Sequence, residues 1–281
     1  MFIRYSVVSP LQEIKQNFEL WEETLLLPSL TNPNVGPGEF APVIAQGDKK
    51  LIQMFRFGMP GVDQLPVYNL RAEGNRNQDD AWHYKGIRDI VNGKYRQHML
   101  HKRCAIICDA FIVGHDTSAP YLVYPRDKQR PFLLAGIWNE TFDNKTGEFV
   151  KSFAMITIFG NPLMNMIGQS RSPVILDKRN ARYWLSGDNN SLGVSADLMP
   201  FDAKLYNAYP ISKEVSNQNN KSISIIKPTG PKLLEEYHER AARQSNEFSV
   251  KNNQARADKN EWRQEQYRKH DSRLRDQGLT E

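Results

Sequence analysis

Cysteine is nearly absent: the 281 residues hold two, Cys104 and Cys108. They stand as C-x3-C on either side of the apolar run Ala105–Ile107, with no second pair to complete a zinc site. Two reduced thiols in a core are the simplest reading, with no metal and no cofactor expected. Long apolar runs are missing as well. No stretch reaches the roughly 20 residues needed to span a bilayer, and the N-terminus lacks the pattern of a secretion signal. A cytoplasmic protein without a membrane partner is therefore expected. No large excess of one charge is present either. The formal net charge is +5 and the pI about 9.1, a mild basic excess that permits a nucleic-acid partner without demanding one. With 40% hydrophobic and 25% charged residues, the composition is that of an ordinary soluble globular protein.

Polar chemistry concentrates in Pro66–Arg76, which reads Pro-Val-Tyr-Asn-Leu-Arg-Ala-Glu-Gly-Asn-Arg. On an extended chain Asn69, Arg71 and Glu73 share a face, because side chains alternate with period 2. An amide, a guanidinium and a carboxylate so placed can hold a phosphate or a sugar-like hydroxyl. A solvated strand edge with a salt bridge would show the same pattern.

From the N-terminus, residues 1–8 read as a strand. Ser9 follows as a helix cap, with Pro10 at the first helical position, Gln12 completing a capping box, and an apolar stripe of Leu11, Ile14 and Phe18. The Pro-, Asn- and Gly-rich residues 28–41 predict a loop. Strands are expected at 41–44 and 51–57, joined by a Gly47-Asp48 turn. A helix capped by Asp79 or Asp80 is expected to end at Asn92-Gly93. Residues 102–113 form one apolar run and predict a single buried strand. Further strands are expected at 121–124 and 131–138. Residues 142–158 predict a hairpin around an Asp-Asn-Lys-Thr-Gly turn. Residues 161–172 read as irregular, 173–176 as apolar, and 181–185 as a short helix. Many short strands and few helices predict an α+β fold dominated by antiparallel or mixed sheet.

The character changes near Pro231. Residues 231–281 carry eleven Lys/Arg against ten Asp/Glu, with few large apolar side chains. The expected organisation is a domain over 1–230 and a charged helical extension over 231–281. Leu233, Leu234, Tyr237 and Ala241 have the spacing of one docked helix over 231–243, and the extension is a candidate surface for a protein partner.

The order of short motifs resembles the SOS response-associated peptidase family (SRAP), whose members shield abasic sites in DNA. The family's Asn-Ala-Arg-Ala-Glu is similar to Asn69-Leu70-Arg71-Ala72-Glu73, and its Arg-Trp-Gly-Leu-Ile-Pro to Arg56-Phe57-Gly58-Met59-Pro60, one residue shorter and with Phe for Trp. Its Arg-Arg-Cys-Leu-x-Pro-Ala-Asp-Gly-Phe-Tyr-Glu-Trp resembles the run from Lys102 to Gly114. Its Ala-Gly-Leu-Trp-Glu resembles Ala135-Gly136-Ile137-Trp138-Asn139, its His-Asp-Arg-Met-Pro-Val-Ile-Leu resembles Gln169 to Leu176, and its Tyr-Pro-Val-Ser resembles Tyr209-Pro210-Ile211-Ser212. The likeness runs from Met1 to about Pro228 and implies the family fold, with the first residues close to Asn69.

The resemblance also implies a chemistry. A cysteine at position 2, exposed once the initiator Met is removed, offers an amine and a thiol that condense with the aldehyde of an abasic sugar to a thiazolidine. An Asn, a Glu and a His position the sugar and move protons. At these positions the chain carries Phe2, Asn69, Val113 and Gln169. Only Asn69 is retained. Valine transfers no proton, and glutamine does not titrate near neutrality. Glu73, Glu140 and His115 are the nearest titratable substitutes in the sequence. The likeness further implies DNA contacts by Arg4, Arg71 and Arg171, whose planar forks suit phosphates, and base stacking by Phe57.

The expectation is a binder of single-stranded or abasic DNA that has lost the crosslinking reaction. Two alternatives stand beside it. In one, the Met1 α-amine, titrating near pH 8, forms a Schiff base with an abasic aldehyde. In the other, the fold serves as a protein-interaction module without DNA.

Overall fold

The computed structural model describes residues 4–18, 30–49, 51–61, 65–73, 90, 94–114, 120–127, 129–144, 146–187, 198–235, 254 and 261. Strands dominate it, with a few short helices, as the α+β expectation holds. Strand β1 spans Arg4–Val7 and leads into helix α1, Leu11–Phe18. Then come β2 (Asn32–Val35), β3 (Phe40–Ala45), β4 (Ile52–Phe57), β5 (Met59–Pro60), β6 (Pro66–Val67) and β7 (Asn69–Arg71). Helix α2, Arg96–His101, precedes β8 (Arg103–Cys108), β9 (Ala110–Val113) and β10 (Tyr121–Pro125). The long hairpin is β11 (Phe132–Asp143) with β12 (Glu148–Phe159), followed by α3 (Pro162–Met166), β13 (Arg171–Pro173), β14 (Ile175–Leu176), α4 (Lys178–Trp184) and β15 (Tyr206–Pro210).

Two main sheets result. The first is antiparallel in the order β15-β10-β9-β1-β2. The second runs β13-β12-β4-β3-β8-β11-β14, and β11 also pairs with β12, so β12, β4, β3, β8 and β11 close on themselves as a five-stranded barrel. Strand β7 pairs in parallel with β12 along the barrel's flank. Within the barrel β3, the first half of β11 and the second half of β12 are mostly apolar and buried, and β8 is buried at every residue. Cys104 and Cys108 lie inside it as free thiols, and burial pushes both thiol pKa values up, so neither is a nucleophile at neutral pH.

The apolar run 102–113 is not one strand. It breaks at Asp109, β8 entering the barrel and β9 the other sheet. Apolar continuity cannot show the break, because both halves are buried. Asp109 decides the joint: its backbone N–H donates to Ser6 O at 2.8 Å, and its carboxylate accepts from Val8 N at 2.6 Å and from Ser9 N and Oγ at 2.8 and 2.5 Å. The Ser9 hydroxyl is thus given to Asp109 instead of to a capping box. The loop expected over 28–41 contains β2, where Asn34 Oδ1 accepts from Arg4 and Asn34 Nδ2 donates to the carbonyls of Val215, Asn217 and Asn220. Side-chain bonding of this kind is invisible to turn propensity. The irregular stretch expected at 161–172 holds α3, capped by the Asn161 side chain on Met164 N.

Helix α2 was not expected from the sequence. Its last turn and that of α4 converge on Arg103, a fully buried cation donating to the carbonyls of Met99, Leu100, Trp184 and Ser186. Unpaired carbonyls at helix ends supply the negative partner here. The helix expected to end at Asn92-Gly93 falls outside the described residues except Ile90.

The chain divides into two units, Met1–Leu233 and Leu234–Glu281. The helix expected over 231–243 is absent from its described part, 231–235, which is irregular. Leu233 N bonds to Ala208 O at 2.8 Å, which draws this stretch onto β15 instead of into a helical turn. In the second unit Gln254 and Glu261 are helical and exposed, and the rest of the expected partner surface lies outside the described residues. No helix among the described residues is long and apolar enough to cross a membrane.

Candidate functional site

Strand β7 is set by its neighbours. Gly58, at φ +115°, ends β4 in a conformation that favours glycine, and a Cβ there would lie 2.7 Å from the Tyr68 ring. Tyr68 closes edge-on against Phe57, and its carbonyl accepts Met155 N at 2.8 Å. This delivers Asn69, Leu70 and Arg71 opposite Met155, Ile156 and Thr157 of β12. Leu70 turns into the core, while Arg71 on the other face is exposed.

The Asn69 side chain is the unusual group. Its Oδ1 and Nδ2 are both shielded from solvent, and neither has a hydrogen-bond partner in the described structure. A buried amide without partners costs on the order of 1–3 kcal/mol for each unmade bond, so it calls for an explanation.

Glu73 does not stay on the face of Asn69 and Arg71. Beyond β7 the chain turns, and the Glu73 carboxylate grips Arg171 of β13 by a two-pronged ion pair at 3.1 and 2.9 Å while accepting Phe159 N at 2.8 Å. Arg171 also donates to Thr157 O and Oγ1, and the Thr157 hydroxyl donates to Leu70 O at 3.1 Å. Three strands, β7, β12 and β13, are thereby laced together. Sequence reading missed Thr157, since nothing marks it among the alternating residues of β12. Arg171 is half-buried and committed to this lattice, whereas Arg71 keeps an exposed guanidinium.

The other expected residues divide. Gln169 lies two residues before β13, held by its backbone N–H to Met164 O at 2.9 Å. Val113 is buried at the end of β9 opposite Tyr121. Arg4, expected in an open groove, is 7% exposed and donates to Asn34 Oδ1 at 3.2 Å and Ser216 O at 3.0 Å. Burial lowers its pKa, partly offset by Glu39. It fastens β1 to residues 215–220, and that is why the groove position does not hold. Phe57, expected to stack on a base, has no exposed surface; it stacks on Phe153 at 5.1 Å and meets Tyr5 and Tyr68 edge-on. Its ring joins the two sheets, Tyr5 coming from β1 and Tyr68 from beside β7. Glu140 is exposed on β11, far along the hairpin from these strands. Met1, Phe2 and His115 lie outside the described residues. The structure therefore gathers Asn69, Arg71, Glu73, Arg171 and Gln169 around β7, β12 and β13, and leaves Arg4 and Val113 in the five-stranded sheet.

Residues 1–218 match the SOS response associated peptidase (SRAP) family. The chain belongs to that family. Among curated relatives, the abasic site processing protein YoqW of Bacillus subtilis is 29% identical over 137 residues, 47% of this chain and 60% of that protein. YoaM of the same organism, also an abasic site processing protein, is 28% identical over 136 residues, 47% of this chain and 59% of that protein. The aligned part thus spans about 60% of the length of these SRAP relatives. A crystal structure of a protein from Bacteroides thetaiotaomicron superposes with a TM-score of 0.64 at 19% identity, covering 81% of this chain and all of that one. One from Bordetella bronchiseptica gives 0.54 at 19% identity, covering 75% and 99%. At such identities the likeness supports the fold alone.

Among the described residues, no group of three or more His, Cys, Asp or Glu side chains is placed to hold a metal ion. What the β7 site offers is an amide that donates and accepts, an exposed guanidinium, and no titratable side chain at Gln169.

Proposed function

We propose that this SRAP protein binds single-stranded or abasic DNA along β7 without forming the thiazolidine crosslink that the family resemblance implies. The observation that carries the reading is Asn69, whose shielded amide has neither an acceptor nor a donor in the described structure. A sugar hydroxyl or an opened abasic sugar supplies both, and Arg71 beside it offers two parallel donors to an adjacent phosphate. Phe2 supplies no thiol, so a Schiff base formed there cannot close to a stable ring. Val113 and Gln169 supply no proton transfer. The curated relatives are named for abasic-site processing, and this chain keeps the binding half of that activity in this reading.

The test is a time course of abasic single-stranded DNA on a denaturing gel, with the N-terminus of each protein verified by mass spectrometry. The wild type is expected to give no heat-stable adduct. Phe2→Cys alone should crosslink slowly, and Phe2→Cys with Val113→Glu and Gln169→His should be faster by about 10²–10⁴-fold, the usual yield of general acid–base help. A heat-stable wild-type adduct, or one trapped by borohydride, overturns the reading in favour of an active protein. No adduct from a folded triple variant overturns the assignment of the β7 site to DNA.

A further inference from the structure

Away from β7, a row of basic side chains lies on α2 and the adjoining parts of β8, β11 and β12. Between Asp89 and Asp109 the sequence holds no acidic residue, but it holds Lys94, Arg96, His98, His101, Lys102 and Arg103. Arg103 turns inward to its carbonyls; the others remain at the surface or half-buried. Lys94 Nζ sits 5.1 Å from the centre of the Tyr95 ring, and Tyr95 meets the His98 ring edge-on at 6.0 Å. Lys102 Nζ and Lys151 Nζ each lie 5.5 Å from the Trp138 ring, and Lys151 lies 5.6 Å from the Phe55 ring.

The polar partners of these lysines are neutral. Lys102 donates to Asn139 Oδ1 at 2.9 Å and Lys151 to Gln53 Oε1 at 3.1 Å. Among the described residues, none of Lys94, Arg96, Lys102 and Lys151 pairs with a carboxylate. Glu140 is in register with Lys151 yet makes no ion pair with it, and Asp143 is taken by Arg56 at 2.9 Å. Trp138 Nε1 and His98 Nδ1 are shielded and unpartnered. Rings and amides stabilise a cation locally without cancelling its charge, so the field of the row reaches solvent. An acidic protein surface would satisfy charge alone. Half-buried rings set between cations match single-stranded nucleic acid better, whose phosphates follow a positive track while its bases meet π-faces.

We propose that Lys94, Arg96, Lys102 and Lys151, interleaved with Tyr95 and Trp138, form a second single-stranded DNA contact, indifferent to sequence and to damage. It rests on the DNA reading of the protein but not on Asn69. The experiment measures binding of fluorescein-labelled, undamaged oligo-dT by the full chain across a salt series. For single strands each phosphate contact contributes about 0.7 to the slope of log K against log salt. Neutralising all four cations to Gln should therefore flatten the slope by about 3 and weaken low-salt binding on the order of 100-fold. Lys102 and Lys151 pack on Trp138, so Lys94→Gln with Arg96→Gln is made separately. These side chains are exposed, and the expected flattening is about half as large. An unchanged slope in both variants, with Arg71→Gln weakening binding, overturns this contact and leaves the β7 site standing. The reverse pattern supports this contact and overturns the β7 site. No oligo-dT binding by the wild type at any salt overturns it outright. Displacement of oligo-dT by a polyglutamate peptide at equal charge concentration overturns it in favour of an acidic protein partner.

Discussion

Two arginines of the family pattern, one on each sheet, stand in opposite condition. In the five-stranded sheet, Arg4 is sealed from solvent and spends its fork on Asn34 and Ser216. On the flank of the barrel, Arg71 has no such partner among the described residues and stands exposed beside the shielded Asn69 amide. The same split separates two positions of lost chemistry. Val113 is core in the first sheet, whereas Gln169 lies just before β13 in the second, near the retained Asn69 on β7. A side chain kept for architecture reaches partners distant in sequence, as Arg4 does through both terminal nitrogens while its Nε stays unbonded, and one kept for a ligand faces solvent, as Arg71 does. Exposure and long-range bonding therefore separate the two roles where residue identity does not.

The largest effect expected is at the joint between the sheets. Asp109→Ala strands two backbone N–H groups and a hydroxyl, and should cost about 3–4 kcal/mol in urea unfolding. A cost below about 1 kcal/mol would mean that the strand-to-helix corner holds without it. Next come the two arginines, which should dissociate stability from binding. Arg4→Met should lower stability by about 2 kcal/mol and leave the salt slope for oligo-dT unchanged. Arg71→Gln should leave the urea midpoint within about 0.5 kcal/mol of wild type while flattening that slope by about 0.7. If the two behaved alike, the contrast between the sheets would collapse.

The family motifs in the sequence marked Asn69, Arg71 and Arg171 and the order of most strands. The turn of the β11–β12 hairpin was legible because its chemistry is local, whereas its first arm, expected as a separate strand over 131–138, runs unbroken from Phe132 to Asp143. What stayed hidden was set by partners distant in sequence. Phe57 reads as a stacking aromatic until Phe153, nearly a hundred residues later, is seen to cover it. Arg171 reads as a phosphate ligand until Glu73 is seen to hold it. The break at Asp109 is of the same kind, because its partners lie in the first ten residues.

Asn69→Leu sharpens the contrast with a smaller effect and the opposite sign. Replacing an unpartnered amide by an apolar group of similar size should leave stability unchanged or raise it by up to about 1 kcal/mol, measured by urea unfolding, while binding to abasic DNA falls. A clear loss of stability would show that the amide has a structural partner. The smallest effect concerns His98. Burial, then Lys102, lowers its pKa below the ordinary 6.5, against a weaker opposing bond from Asn139. Above pH 6.5 the group is neutral folded and unfolded, and its contribution to stability is complete. As pH falls below 6.5 the unfolded chain takes up the proton first, so stability is lost. Between pH 7.5 and 5.5 the wild-type Tm should therefore fall slightly more than that of His98→Gln. Equal falls would place His98 in solvent.

The parallel contact between β12 and β4 governs how the chain can be made. Every other seam of the barrel is antiparallel, and this one joins Arg56 and Phe57 to Ser152 and Phe153. A nascent chain leaving the ribosome therefore carries β4 with a bare edge, and β7 with no strand to lie on, until residue 159 has emerged. Open edges of that kind recruit other chains. Any product truncated before β12 consequently lacks the strand that both β4 and β7 pair with, and leaves the barrel open.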